Sequence, residues 1–162
     1  MIKKISTILL LFLMFYGCQK DDICIDPITP NLIIRFYDVT DTTLVKAVNN
    51  LQIKNIDIDS IYANNLATTD SVAIPLNINK DSSTYVLTIN STDSILANAD
   101  TITIRYKRKP TFVSRSCGFK TVFTNVNVKV TTDSDNWIKK ISTIDSTKTI
   151  LDETKAQVKI LH

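Results

Sequence analysis

Glycine is almost missing from this chain: Gly17 and Gly118 are the only two in 162 residues. Histidine occurs once, as His162, and glutamate once, as Glu153. A Ser-His-Asp or Cys-His centre needs an imidazole beside its nucleophile. A single histidine placed at the last position of the sequence leaves that class without its base. Paired carboxylates for glycoside hydrolysis remain formally open with fifteen aspartates, but most of these fall in turn or strand-edge contexts and read as solvated. The three cysteines show no zinc-ligand spacing. No catalytic residue, metal or cofactor is therefore expected, and the chain is read as a non-enzyme.

The apolar runs are also short. Lys3 and Lys4 precede a twelve-residue apolar stretch from Ile5 to Tyr16, followed by Gly17 and Cys18. A bilayer span takes about 20 apolar residues, whereas this length and these flanks suit a helical secretory signal. A small residue directly before a cysteine predicts cleavage after Gly17 and acylation of Cys18, although Tyr16 and Phe15 depart from the usual neighbours. The following Gln19-Lys20-Asp21-Asp22 resembles the export signal of flavobacterial lipoproteins. That resemblance implies the outer face of the outer membrane, with the membrane held through the N-terminal lipid.

Removal of residues 1–17 takes Lys3 and Lys4 with it and leaves 17 basic against 16 acidic residues. The formal charge of +3 thus belongs mostly to the signal. A near-neutral domain argues against a general nucleic-acid binder. Two thiols remain, Cys24 and Cys117. In an oxidising compartment an even pair is more simply a disulfide than two free thiols, contributing about 4 kcal/mol if unstrained. Only Gln19–Ile23 separate Cys18 from Cys24, a reach of about 20 Å at 3.5 Å per residue.

Period-two alternation dominates the rest. Leu32, Ile34 and Phe36 form one stripe. Val72, Ile74, Leu76 and Ile78 form another, in which Pro75 marks an edge strand. Tyr85, Leu87 and Ile89, then Ile102, Ile104 and Tyr106, give two more. Val126, Val128 and Val130 continue a strand begun near Phe119, and Ile138–Ile144 and Val158–Leu161 close the series. Leu51 and Ile53 fall out of phase with Ile56 and Ile58, which predicts a break near Asn55. With glycine scarce, turns are assigned to Asn49-Asn50, Asn64-Asn65, Lys80–Ser83 and Asp133–Asn136. Ser91–Asn98 offers at most one helical turn. Eight to nine short strands predict one all-β domain, an antiparallel sandwich of immunoglobulin-like or related type, over 31–162, with 18–30 as the acylated cysteine and its tether.

Ser71–Leu76, Asp100–Tyr106, Phe112-Val113-Ser114 and Cys117-Gly118-Phe119, with an early cysteine and Thr29-Pro30-Asn31-Leu32, resemble an uncharacterised family of small Bacteroidota lipoproteins. The resemblance implies a Cys24–Cys117 pairing and a single β domain, and supplies no catalytic residues.

Several binding readings compete with plainer ones. Asp133-Ser134-Asp135-Asn136 hints at a calcium loop but lacks the EF-hand glycine and late glutamate, so a β-turn is favoured. Asn55, Asp57 and Asp59 share a strand face that more simply meets water. Arg105, Lys107 and Lys109 line one face of a strand, with Arg108 opposite. They are candidates for an anionic ligand, against the favoured reading of a charged edge that blocks strand pairing. Trp137, Tyr37 and Tyr62 are more readily core than sugar platforms. Asp followed by Ser or Thr recurs and resembles the O-glycosylation motif of exported Bacteroidota proteins, which makes Thr42, Ser60, Ser71, Ser94, Thr101 and Ser146 candidate acceptors. Turn chemistry explains the same spelling. The expected function is a lipid-anchored binding or structural module at the outer membrane surface, with a glycan or envelope protein as partner. A periplasm-facing accessory in outer-membrane assembly is the alternative.

Overall fold

A computed structural model describes residues 23–25 and 29–162. The segment read as a signal (1–17), Cys18 and Gln19–Asp22 lie outside the described residues. Among the described residues nine strands run in order β1 Leu32–Tyr37, β2 Val48–Asn55, β3 Ser60–Thr69, β4 Ser71–Ile74, β5 Ser82–Ile89, β6 Asn98–Ser114, β7 Gly118–Val130, β8 Lys140–Thr143 and β9 Val158–Leu161. They form a four-stranded sheet, β4-β1-β9-β8, and a five-stranded sheet, β3-β2-β5-β6-β7. The all-β sandwich expected from the alternation is the observed fold. One pair departs from antiparallel: β1 and β9 run parallel, with Ile34 opposite Val158.

The predicted stripes are the core. Leu32, Ile34, Phe36, Ile74, Val158 and Ile160 from one sheet meet Leu51, Ile53, Tyr85, Leu87, Ile102, Ile104, Tyr106 and Phe123 from the other. Full burial of each such side chain contributes about 1.5–3 kcal/mol. Val72 and Leu76 are buried, but Ile78 is exposed in the loop that follows β4, which ends at Ile74. β4 is an edge strand, as Pro75 indicated.

Scarcity of glycine shapes the backbone. Among the described residues six non-glycines have positive φ: Asn50, Asp59, Asn65, Asn90, Asn125 and Lys148. Asn and Asp tolerate this region because their short polar side chains bond locally. Two turn assignments are corrected here. Asn50 lies inside β2 and Asn64-Asn65 inside β3, where the β2–β3 register shifts between Leu51 and Ile53. Asn64-Asn65 marks that bulge, Asn50 is a left-handed residue within β2, and the turn is Ile56–Asp59, at the predicted break after Asn55. β3 itself was unforeseen, since nearly all its residues are exposed. It passes into β4 through Asp70 alone, so the chain changes sheets at one residue, where Arg35 meets Asp70 at 3.4 Å. The expected turn at Ser91–Asn98 is present, closed by Ala97 N–H donating to the Asp93 carbonyl at 2.9 Å.

Candidate functional site

Among the described residues the β6–β7 hairpin has the longest strands, of 17 and 13 residues. Its inner face carries Ile102, Ile104 and Tyr106 into the core, and period two sends Thr103, Arg105 and Lys107 outward. Register then adds what sequence spacing cannot. Lys129 stands opposite Thr103 and Lys120 opposite Thr111. A bulge at Asn125 (φ 54°), between the Arg105 and Lys107 pairings, shifts β7 by one residue. One side of the ribbon thereby gathers Arg105, Lys107, Lys109, Lys120 and Lys129. Among the described residues none of the five has a carboxylate within 4.0 Å, whereas Lys46, Lys54, Lys80, Arg35 and Arg108 all do.

An open groove of about 480 Å³ lies along this side, lined by Thr103, Arg105, Asn127, Lys129, Val130 and Thr131. Two cations, two hydroxyls and an amide suit phosphate, sulfate or carboxylate groups through charge-assisted hydrogen bonds. The favoured charged-edge reading needs correction. As far as Arg105, β6 is an interior strand between β5 and β7, and Ser82 pairs with Arg105. Only beyond that pair, at Lys107 and Lys109, is its β5 side open. Arg108 does face the other way, its Nε 2.7 Å from Asp81 and its Nη1 donating to the Ile78 carbonyl at 2.9 Å.

The remaining candidates are otherwise engaged. Asn55 accepts from the Asp57 amide (2.8 Å) and donates to Tyr85 Oη (3.1 Å). Asp57 accepts from the Thr84 amide at 3.0 Å, and Asp59 pairs with Lys54 at 2.7 Å. Among the described residues no group of three His, Cys, Asp or Glu is placed to hold a metal ion. In the Asp133–Asn136 turn, Asn136 Oδ1 accepts from the Asp133 amide and Nδ2 donates to Asp100, so the loop closes on itself. Trp137 is core: its indole donates to the Leu87 carbonyl at 3.1 Å and its ring stands 6.2 Å from Phe36. Tyr37 lies under Lys159, whose Nζ is 4.0 Å from the ring centre, while Tyr62 is exposed on β3. Burial pushes the Tyr85 hydroxyl up to about 12, and that hydroxyl donates to the Pro75 carbonyl. His162 packs against Phe36 and Trp137, and burial holds its imidazole below the ordinary value.

Two of the six Asp-Ser/Thr sites, Asp41 and Asp145, are turn units of a kind that recurs at Asp38 and Asp152. Asp38, Asp41, Asp145 and Asp152 each accept from the amide and hydroxyl of a threonine two residues on. These bonds hold all four carboxyls below the usual range. The unit is an Asx turn, Asp-x-Thr. Of the candidate acceptors, Thr42, Ser60, Ser94 and Ser146 are exposed, Ser71 starts β4, and Thr101 lies within β6 beside the buried Asp100. Asp100 escaped the sequence reading, which took aspartates as solvated; it is fully buried.

Cys24 and Cys117 are joined by a disulfide, Cα–Cα 4.9 Å, across 93 residues of sequence. Cys117 lies in the Arg115–Cys117 turn at the tip of the hairpin, and Gly118, with φ 70°, carries the chain back into β7. A left-handed φ there favours glycine over any residue with a Cβ.

The profile of a family of unknown function (DUF6452) matches residues 50–162. The chain belongs to this family. The DUF6452 match begins within β2 and takes in the whole basic side, the groove and Cys117, while β1 and Cys24 precede it. No curated protein and no solved structure matches the chain. In this DUF6452 domain the basic side is open to a direct test. The double substitution R105E/K129E should weaken retention on a sulfated or phosphorylated polyanion resin by about tenfold in affinity, since each charge-assisted contact contributes about 1.5–3 kcal/mol before screening. Both side chains face solvent, so the urea midpoint should hold. An R105E/K129E variant that elutes with the parent would remove this face from consideration.

Proposed function

We propose that the protein is a lipid-anchored, non-catalytic module of a Bacteroidota outer membrane, acylated on Cys18 and displayed at the cell surface. There it engages anionic groups of envelope glycans through the Arg105/Lys129 groove. The observation that carries this reading is the Cys24–Cys117 disulfide. Disulfides persist in oxidising compartments, and this one falls six positions after the cysteine that ends the signal-like segment. The non-catalytic part rests on the site chemistry: the histidine is packed in an aromatic cluster, and among the described residues the lining of the groove holds no carboxylate, histidine or cysteine beside its cations.

Two measurements on cells expressing the full chain test the reading. Mass spectrometry should find diacylglyceryl on Cys18 in the mature protein, and Cys18→Ala should release the domain from the membrane fraction. Protease applied to intact cells should remove the domain. Protection from protease until the outer membrane is opened would favour a periplasm-facing accessory instead.

A further inference from the structure

Beyond Arg105 the β6–β7 hairpin leaves β5 behind and continues as a two-stranded arm. Its β7 side is supported as far as Thr121, whose amide donates to Thr29 Oγ1 at 3.0 Å. The last residues reach past the core, yet they are not polar. Phe112 and Phe119 are direct cross-strand partners, ring centres 5.4 Å apart and edge to face, and are 57% and 71% exposed. Ile23 and Ile25, on either side of Cys24, are 84% and 90% exposed. The disulfide brings these four large apolar side chains to one place. Isolated exposed hydrophobics need no explanation, but a cluster does.

Charge on the arm itself is one-sided, whereas Asp22 and Asp26 flank Ile23 and Ile25 in the sequence. From Lys107 to Val122 the sequence holds Lys107, Arg108, Lys109, Arg115 and Lys120 and no carboxylate. Phe112 and Phe119 at the end of a basic arm match the boundary between acyl chains and lipid phosphate. Chain length points to the same occupant. Five residues separate Cys18 from Cys24, so an acylated Cys18 holds the tip within about 20 Å of the bilayer.

We infer that the tip of the β6–β7 arm is seated on the lipid surface, Phe112 and Phe119 entering the headgroup region and Arg115 meeting lipid phosphate. This rests on the proposed acylation of Cys18. The sandwich then stands upright on the arm, because β6 spans about 50 Å at 3.3 Å per residue and the Ser91–Ala97 loop lies at its far end.

The test uses the full acylated chain in vesicles of zwitterionic and anionic phospholipid, with and without spin-labelled lipid as quencher. Phe119→Trp places a reporter at the tip, Ile95→Trp places one in the far loop, and Trp137 is subtracted as the parent signal. The tip reporter should lose about half its emission to the quencher, as expected for an indole at headgroup depth, and the far reporter should lose none. An acylated chain whose tip reporter is unquenched, whether in water or against a second copy, overturns the inference and leaves the anchor standing. Equal quenching at both positions overturns the upright arrangement. A mature chain without lipid on Cys18 overturns the anchor and this inference together.

Discussion

Replacing the Cys24–Cys117 pair with serines should lower the stability of the domain by about 4 kcal/mol, and opening should begin at the hairpin tip. The bridge closes a loop of 93 residues. In the chain-entropy account a loop of that size restricts the unfolded chain by between 4 and 5 kcal/mol, with native disulfides typically measuring about 2–5. The structure adds a local component. Beyond Tyr106 the arm has no β5 partner, and a lone hairpin is marginal in water. The bridge ties its turn to the segment before Leu32, beside the Thr121–Thr29 hydrogen bond further down the arm. Urea titration of oxidised, reduced and C24S/C117S protein measures the global part, and amide exchange at Lys109–Lys120 the local part. A midpoint unchanged by the double substitution would mean that the bridge acts on the arm alone.

Much of the sandwich is legible in the sequence because its core obeys period two. Leu32, Ile34 and Phe36, or Ile102, Ile104 and Tyr106, announce both a strand and its buried face. The failures have equally physical origins. β3 carries no apolar stripe, since it covers one edge of the sheet and buries little, so its pairing with β2 is a tertiary fact. Asn50 and Asn65 do take left-handed φ, but such a residue can lie within a strand, at Asn65 beside a bulge, as readily as in a turn. The arm is only half visible: alternation carries the strand as far as Lys109, but that β5 drops away after Arg105 and core burial stops after Tyr106 is a tertiary fact. The same limit applies to the basic side. Arg105, Lys107 and Lys109 are visible as alternation along one strand. Lys120 and Lys129 join them only through cross-strand register, which the Asn125 bulge resets. The disulfide was legible from cysteine count and compartment, because counting needs no geometry.

Asp100 was not legible at all, and removing it should be the other large perturbation. It is fully buried at the start of β6, opposite Leu87. Its Oδ2 accepts from the Ile138 amide at 2.7 Å and its Oδ1 from Asn136 Nδ2 at 3.0 Å. Between those two contacts Trp137 donates its indole N–H to the Leu87 carbonyl. One carboxylate thus clamps the approach to β8 onto the five-stranded sheet and holds the indole over Phe36. Both partners lie 36 or more residues downstream, beyond any local pattern. Asp100→Ala leaves the amide of the buried Ile138 without an acceptor and should cost about 3 kcal/mol, the desolvation of one buried donor plus a lost charge-assisted bond. Asp100→Asn keeps the shape and one acceptor, yet turns an amide donor toward either Ile138 or Asn136. About half that cost is expected. Trp137 is the only tryptophan, so its emission reports the clamp separately from the sheet. In Asp100→Ala the emission should shift to the red at urea concentrations where the circular dichroism of the strands is still native. Coincident transitions at the parent midpoint would show that Leu87 and the aromatic packing hold this segment without the carboxylate.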